Sequence, residues 1–348
     1  MLAPNNVVEE PSVPVTVLYP EAMYPDNTEE QAIFGPDVTI LQRSVKTLSE
    51  LSDADCATVD GLMIFRHWMS AADVARFPRL RAVVRMGVGY DRLDRAAAAA
   101  RGITVCNVPD YGTKEIADHA FALALSLRRG LFMHHERQRG EHPAPWLPIV
   151  EPKLMRRSSV QGFGIVGFGR IVIAVALRAK ACGFRVWFYD PYKPNGYDLA
   201  LGVERCQTLH ELMSKADVLS LHALETPETI GMIDRAALAA LPDGAVVINT
   251  ARGPLIDIEA LTEGLRSGRI AAAGLDVVPI EPPDSGPLPE LLRAYRAREP
   301  WLEGRLVVTP HCAYWTPEAY ADIRTKSAET MREALGNRPQ NVIPPESY

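Results

Sequence analysis

Three apolar, strand-like runs of this chain end in residues that could carry acid–base or anion chemistry. Ala245–Ile248 runs into Asn249-Thr250-Ala251-Arg252-Gly253. Ala271–Leu275 runs into Asp276-Val277-Val278-Pro279-Ile280-Glu281-Pro282, and Leu306–Val308 into Thr309-Pro310-His311-Cys312. Residues just past the C-terminal ends of parallel strands reach the crevice where open α/β sheets bind ligands. Arg252 offers a planar fork that matches a carboxylate. Alone, it reads equally as a surface arginine in a loop, and a lone histidine is more often structural or solvated. An Arg, a Glu and a His at equivalent strand ends favour one shared site.

That set suits hydride transfer at a carbonyl. Adding a hydride to the carbon leaves negative charge on the oxygen. A protonated histidine can donate the missing proton, and a neutral one can take it back in the reverse direction. A neighbouring carboxylate favours the charged imidazole and fixes its orientation. An arginine polarises the carbonyl and anchors an adjacent acid group.

A hydride needs a carrier, and the segment from Val160 to Asp190 supplies a candidate site. A literal GxGxxG occurs at Gly162, Gly164 and Gly167, but Gly164 and Ile165 fall inside the expected strand, Val160–Val166. The frame that starts where the strand ends is Gly167-x-Gly169-x-x-Val172. Gly167 permits the tight turn. Gly169 lets a pyrophosphate approach the first N–H groups of the following helix, near Arg170 and Ile171. Val172 replaces the small third residue, so the helix is expected to shift outward or the packing to adjust. Asp190 ends the next strand, 21 residues after Gly169, where a carboxylate holds ribose hydroxyls and repels a 2′-phosphate. NAD is therefore expected over NADP. The bland alternative is an ordinary βαβ turn with an incidental aspartate.

The remaining pattern must position these groups. With 348 residues the chain has room for about two domains. Apolar residues are 47% and charged residues 23%, which excludes a disordered chain, a coiled coil and a collagen-like fibre. The net charge of −6 argues against non-specific binding of a nucleic acid. The cysteines Cys56, Cys106, Cys182, Cys206 and Cys312 are scattered and odd in number, so a reducing, cytoplasmic setting fits and a disulfide framework does not. The N-terminal MLAPNNVVEEPSVPV lacks the pattern of a signal peptide, and no long uncharged apolar window suggests a membrane span.

Short strands and helices alternate throughout. Strands are expected at Val13–Tyr19, Gly61–Phe65, Arg81–Arg85, Ile103–Val105, Val160–Val166, Phe184–Tyr189, Val218–Leu221 and in the three runs above. Helices are expected at Ala71–Phe77, Ala96–Arg101, Lys114–Arg129, Arg170–Cys182 and about 208–214, 235–240, 257–267 and 317–335. Gly140–Pro152, with four prolines, reads as a loop. His119, His134, His135, His142, His210 and His222 form no metal-ligand spacing, so no metal is expected. Arg66, His67 and Trp68 follow strand GLMIF and are candidate specificity residues, with solvated loop residues as the alternative. Arg66 would suit a substrate with a second anionic or polar group.

The chain resembles the D-isomer-specific 2-hydroxyacid dehydrogenases over essentially its whole length. The resemblance rests on GFGRI with Asp190, NTARG at 249–253, GLDVVPIEP at 274–282 and TPH at 309–311. It implies two Rossmann-like, doubly wound parallel-sheet α/β domains with a cleft between them. Residues 1–115 and 315–348 would form the substrate domain, and 116–314 the inserted NAD-binding domain. It implies a catalytic trio of Arg252, Glu281 and His311. Arg252 would bind the substrate carboxylate and carbonyl, His311 would be the acid–base group, and Glu281 would tune it. Asp276 would hold the nicotinamide carboxamide, with Thr250 and Ala251 also at the cofactor. The segment RMGVGYD at 85–91 looks like the family's substrate loop, whose N–H groups near Val88 and Gly89 receive the carboxylate, although glycines there also suit a plain tight turn. A homodimer through the NAD-binding domain is implied, with helix Glu115–Arg129 as candidate contact.

Within the family, RMGVGYD, CNVP at 106–109 and FYDPY at 188–192 are similar to the C-terminal-binding-protein corepressors and their bacterial relatives. The chain departs after His311, where Tyr314–Trp315 reverses the corepressors' Trp–Tyr order, so the substrate does not carry over. The leading expectation is a 2-oxo acid reductase that makes a D-2-hydroxy acid. The alternative is an NAD(H)-sensing, corepressor-like protein. Formate dehydrogenases carry glutamine where this chain has Glu281, which counts against that branch.

Overall fold

The computed structural model describes residues 14–139 and 146–345. Val13, the segment before it, and residues 140–145 with His142 lie outside the described residues.

The chain order begins β1 (Val15–Tyr19), α1 (Thr28–Phe34), β2 (Val38–Gln42), α2 (Asp53–Thr58) and β3 (Gly61–Ile64). It continues with α3 (Ala71–Ala75), β4 (Ala82–Arg85), α4 (Arg95–Ala100), β5 (Thr104–Asn107), α5 (Thr113–Arg128) and α6 (Leu131–Arg139). Then come β6 (Gly162–Val166), α7 (Arg170–Ala181), β7 (Arg185–Tyr189), α8 (Tyr197–Leu201), β8 (Glu204–Arg205), α9 (Leu209–Lys215) and β9 (Val218–Leu221). The last are α10 (Arg235–Ala240), β10 (Ala245–Asn249), α11 (Ile258–Arg266), β11 (Ile270–Leu275), α12 (Glu290–Arg296), β12 (Leu306–Val308) and α13 (Pro317–Leu335).

The chain divides into two units, one taking the described residues up to Tyr111 together with those from Pro317 onward, the other Gly112–Thr316. The split falls in the turns just before α5 and α13, a few residues from the expected positions. The first unit carries a five-stranded parallel sheet in the order β2-β1-β3-β4-β5. The second carries a seven-stranded parallel sheet in the order β12-β11-β10-β9-β6-β7-β8. Both are α/β sheets, as the alternation of short strands and helices requires.

The strands are nearly continuous apolar runs because helices cover both faces of a parallel sheet. Every residue of β3, β6, β9, β10 and β11 is buried. Local polar residues set the helix starts. Ser52, Asp94, Thr208, Asp234 and Asp257 each accept a first-turn N–H with the side chain, and Ser70 with Asp73 closes a reciprocal capping box.

Two strands lay outside the sequence expectation. β2 is an edge strand whose residues are half-buried or exposed, so it shows no strong apolar run, although it pairs with β1 from Val15–Val38 to Tyr19–Gln42. β8 is a two-residue edge strand. The Ala/Leu-rich helix is largely buried, as its composition leads one to expect. α5 buries Ile116, Ala117, Ala120, Leu123, Ala124 and Leu127 inside its own unit, packed with Phe163, Val172, Val175 and Ile248. Its apolar composition is thus accounted for without a partner subunit. No described helix is long and apolar enough to cross a membrane.

Candidate active site

In the seven-stranded sheet all strands are parallel, so every C-terminal end lies along one edge. Gly167, Asp190, His222, Asn249, Asp276 and Thr309 each begin just past, or end, one of these strands. The strand order reverses between β6 and β9, and a reversal point of this kind forms a binding crevice.

The glycine segment folds as its strand-end frame requires. Gly162 and Gly164 lie within β6. They are packing glycines: an added Cβ would stand 2.0 Å from the Lys215 carbonyl oxygen at the first and 2.5 Å from Ala216 Cβ at the second. Gly167 is left-handed at φ +85°, with Ala223 and His222 backbone 3.0 Å from a hypothetical Cβ. Gly169 caps α7, and among the described residues no heavy atom beyond its own neighbours in the chain and helix lies within 4 Å of where its Cβ would be. Open space at the start of a twelve-residue helix, whose first N–H groups lack intrahelical partners, fits an approaching pyrophosphate. Arg170 is exposed and Ile171 half-buried in that first turn. Val172 is fully buried in the core.

Asp190 braces this turn. One carboxylate oxygen accepts the Phe168 N–H at 2.8 Å and the other the Tyr192 N–H at 2.9 Å. Past β9, His222 bonds the Ser220 hydroxyl through Nε2 at 2.8 Å, and burial pushes its imidazole down to about 4. His222 stands beside Gly167. Thr250 Oγ1 is buried and has no hydrogen-bond partner among the described residues. An orphaned donor at one strand end and an unfilled glycine cradle at another fit a dinucleotide.

His311 and Glu281 are paired. His311 Nδ1 lies 2.6 Å from Glu281 Oε2, and Glu281 Oε1 accepts the Val278 N–H at 3.2 Å. Burial alone would raise the Glu281 carboxyl. The His311 hydrogen bond and charge, the Val278 N–H and the nearby Arg252 charge outweigh it, and the group sits below its ordinary value. Arg252 is half-buried and also donates to the Ala251 carbonyl oxygen at 2.7 Å.

Asn249 gives the arginine loop its shape, a role the sequence pattern left unassigned. Its Nδ2 donates to the Arg252 carbonyl oxygen at 2.8 Å, and its Oδ1 accepts the Ala251 N–H at 3.0 Å. Such short side-chain-to-backbone bonds fix a turn.

Asp276 has a structural task. It is 2% exposed and bonds the loop that carries His311. Its carboxylate accepts the Thr309 hydroxyl at 2.5 Å, the Cys312 N–H at 2.9 Å and the Ala313 N–H at 3.0 Å, and its carbonyl oxygen accepts the His311 N–H at 2.8 Å. His311 itself is left-handed, at φ +50°. His119, on α5, reaches the same cluster, with Nε2 3.1 Å from Thr309 Oγ1. Nothing in its spacing marked it. Tyr314 packs at Gly112, and Trp315 is 58% exposed with its N–H on the Cys312 carbonyl oxygen.

In the five-stranded unit, Val88 and Gly89 follow β4, half-buried, and the Val88 carbonyl oxygen accepts Asn107 Nδ2 at 2.8 Å. Arg66 is exposed past β3, its guanidinium 5.3 Å from the Phe65 ring centre, with that of Arg85 at 5.7 Å. His67 turns inward from the strand end. It is 7% exposed, with Nε2 bonded to the Val45 carbonyl oxygen at 2.9 Å and Nδ1 3.4 Å from Glu21. The strand-end position brought it inward because Glu21 ties down the turn, accepting the N–H groups of Phe65 and Arg66. Trp68 is exposed, beneath the Arg92 guanidinium.

Comparison with known proteins agrees with this geometry. Residues 121–313 match the model of the D-isomer specific 2-hydroxyacid dehydrogenase, NAD binding domain. The chain is similar to D-3-phosphoglycerate dehydrogenase of Mycobacterium leprae (strain TN), 37% identical over 317 residues, covering 89% of this chain and 53% of that protein. It is 36% identical over 342 residues to the enzyme of that name from Mycobacterium bovis (strain ATCC BAA-935 / AF2122/97), covering 96% of this chain and 57% of the other. The chain thus spans about half the length of these relatives. Among solved structures, D-lactate dehydrogenase from Aquifex aeolicus, complexed with NAD and lactic acid, superposes with a TM-score of 0.77 at 25% identity, over 93% of this chain and 96% of that one. A dinucleotide cradle, a bonded His311–Glu281 pair beside Arg252, and these matches lead to one conclusion: the chain belongs to the D-isomer specific 2-hydroxyacid dehydrogenase family.

Proposed function

We propose that the protein catalyses the reversible, NAD-dependent reduction of a 2-oxo acid to a D-2-hydroxy acid. The observation that carries this reading is the 2.6 Å contact between His311 Nδ1 and Glu281 Oε2, with Arg252 close enough to lower the same carboxyl.

When bound, NADH supplies the hydride and NAD accepts it. The residues of this chain do the rest. The guanidinium of Arg252 binds the substrate carboxylate and polarises the carbonyl at C2. As the C2 oxygen gains charge, His311 delivers a proton from Nε2, which makes no hydrogen bond among the described residues. Glu281 holds the ring through Nδ1, which leaves Nε2 to face the substrate. In the oxidative direction the neutral His311 takes the hydroxyl proton.

The first-turn N–H groups at Arg170 and Ile171, with Gly167 and Gly169, are assigned to the pyrophosphate, and Asp190 to the adenosine ribose. Thr250, Ala251 and Asp276 are assigned to the nicotinamide side, where Asp276 also braces the His311 loop. The backbone N–H groups of Val88 and Gly89 are assigned to the substrate carboxylate, and Tyr314 and Trp315 to substrate selection. The guanidinium of Arg66, exposed beside Phe65, suits a substrate with a second anionic or polar group. The relatives named D-3-phosphoglycerate dehydrogenase support such an acid.

Dehydrogenases among the relatives, together with an intact Arg252–Glu281–His311 set, favour turnover over a purely NAD(H)-sensing role. A homodimer through the NAD-binding unit accompanies this reading, supported by exposed apolar side chains at Leu131, Trp146, Leu147 and Val150. Free thiols at all five cysteines support a cytoplasmic setting. The test is oxidation of NADH, and of NADPH in parallel, with glyoxylate, hydroxypyruvate and branched, aromatic, thioether and phosphorylated 2-oxo acids. Turnover of one member with NADH supports the reading, and turnover of none contradicts it.

A further inference from the structure

We propose that His119 is a positioning residue for the acid–base loop and acts through Thr309 and Asp276. The inference rests on the dehydrogenase reading for its kinetic consequence, and on hydrogen-bond geometry alone for its structural one.

Proton accounting gives the relay its direction. Thr309 Oγ1 lies 2.5 Å from Asp276 Oδ1 and 3.1 Å from His119 Nε2. A hydroxyl has one proton to give, and an ionised carboxylate can only accept. The Cys312 and Ala313 N–H groups also donate to the Asp276 carboxylate, which keeps it in the accepting role. The Thr309 proton is therefore committed to Asp276. The Thr309 oxygen is left to accept, so His119 Nε2 must carry a hydrogen. The chain of donors runs from His119 Nε2–H to Thr309 Oγ1–H to Asp276 Oδ1. His119 Nε2 also lies 3.8 Å from Asp276 Oδ1.

The relay ends on the loop that carries the proton donor. The groups bonded to Asp276 come from Thr309, His311, Cys312 and Ala313. His311 sits among them in a left-handed backbone conformation, one that a side-chain-bearing residue keeps only when its surroundings hold it there. His119 fixes the rotamer of Thr309, the first residue of the loop, from a helix that is itself anchored in the core of its unit. Misplacing a reacting group by about 1 Å can cost about 10²-fold in rate, so a modest loosening of this loop reads out in kcat.

The test compares His119→Phe, which keeps a ring but no donor, with His119→Gln, whose amide nitrogen can reach the place of Nε2. His119→Phe is expected to lower kcat about tenfold, in line with losses on removing partners that orient a functional group. NADH affinity and substrate KM should stay within about twofold, and His119→Gln should recover kcat to within about threefold. Thr309→Val should lower kcat similarly, and the double variant with His119→Phe should lose no more than either single one. Wild-type kcat in His119→Phe, or a Gln variant no better than Phe, would overturn the proposal. A second readout is independent of turnover. Histidine-selective 15N NMR of the wild-type protein at about pH 8, where a free imidazole is neutral, should show His119 as the Nε2–H tautomer. An Nδ1–H tautomer overturns the relay whatever the kinetics. If the wild type reduces no 2-oxo acid while the Nε2–H tautomer is present, the dehydrogenase reading fails and the relay stands.

Discussion

Gly253 and Val278 lie so close that a Cβ on Gly253 would stand 2.1 Å from the carbonyl carbon and oxygen of Val278. The arginine loop after β10 is thereby pressed against the loop after β11, and Val278 in turn donates its N–H to Glu281. Two motifs far apart in sequence share one backbone contact, and only a residue without a side chain permits it.

Gly253→Ala should therefore damage both catalytic loops together. Forcing in one methyl group is expected to cost about 1–3 kcal/mol of stability and to lower kcat/KM by displacing Arg252 and Glu281. Thermal melting and steady-state kinetics on the same variant check this. Wild-type values in both would mean that the loops separate freely.

The glycines of the β6 turn divide into two kinds. Gly164→Ala places a methyl 2.5 Å from Ala216 Cβ and should cost about 1–3 kcal/mol of stability. Gly169→Ala meets no atom within 4 Å among the described residues beyond its own neighbours in the chain and helix, so its melting temperature should match the wild type while NADH affinity falls about tenfold, or about 1.4 kcal/mol. The opposite assignment of effects would put the pyrophosphate at the GxGxxG frame of Gly162.

His67 and Glu21 should shape stability, with opposite pH limits. Burial lowers the His67 imidazole, but the Glu21 hydrogen bond and charge outweigh it and leave it above 6.5. Its contribution is full below about 6.5 and is lost as pH rises through the folded value. Burial raises the Glu21 carboxyl, but His67 and the backbone N–H groups of Arg66 and Phe65 bring it below 4.5. Its contribution is full above about 4.5 and is lost as pH falls through the folded value. The wild-type melting temperature should decline on the alkaline side of this window. His67→Gln should start lower and lack that decline, with the NADH Kd unchanged. An alkaline decline of equal size in both proteins would remove His67 as its source.

Arg66→Ala should discriminate among substrates. A 2-oxo acid with a second anionic group is expected to lose about tenfold or more in kcat/KM, as charge-assisted hydrogen bonds are worth roughly 1.5–3 kcal/mol. A 2-oxo acid with an apolar side chain should change little. Equal kcat/KM for wild type and variant across the panel would remove Arg66 from substrate selection.

Strand-end chemistry was readable from the sequence because it depends on local chain direction. An apolar run followed by Gly167-x-Gly169, by Asp190 or by Arg252 places those residues at one edge of a parallel sheet without knowledge of distant contacts. The same local rule does not report the burial of His67, which depends on Glu21 and on Val45, 22 residues away. His119 was passed over for the same reason: its partner Thr309 is 190 residues away, and no spacing pattern reports such a pair. The Ala/Leu-rich composition of α5 reports its burial, but not that the sheet and α7 of its own unit cover it.

The most direct measurement follows NADH oxidation by the wild type and by His311→Ala across the 2-oxo acid panel, with NADH Kd measured by fluorescence on both. The expected result is turnover of at least one acid by the wild type, a loss of about 10²–10⁴-fold in His311→Ala, and an unchanged NADH Kd. An inactive wild type, or a His311→Ala variant that turns over as fast, would contradict acid–base catalysis by the His311–Glu281 pair.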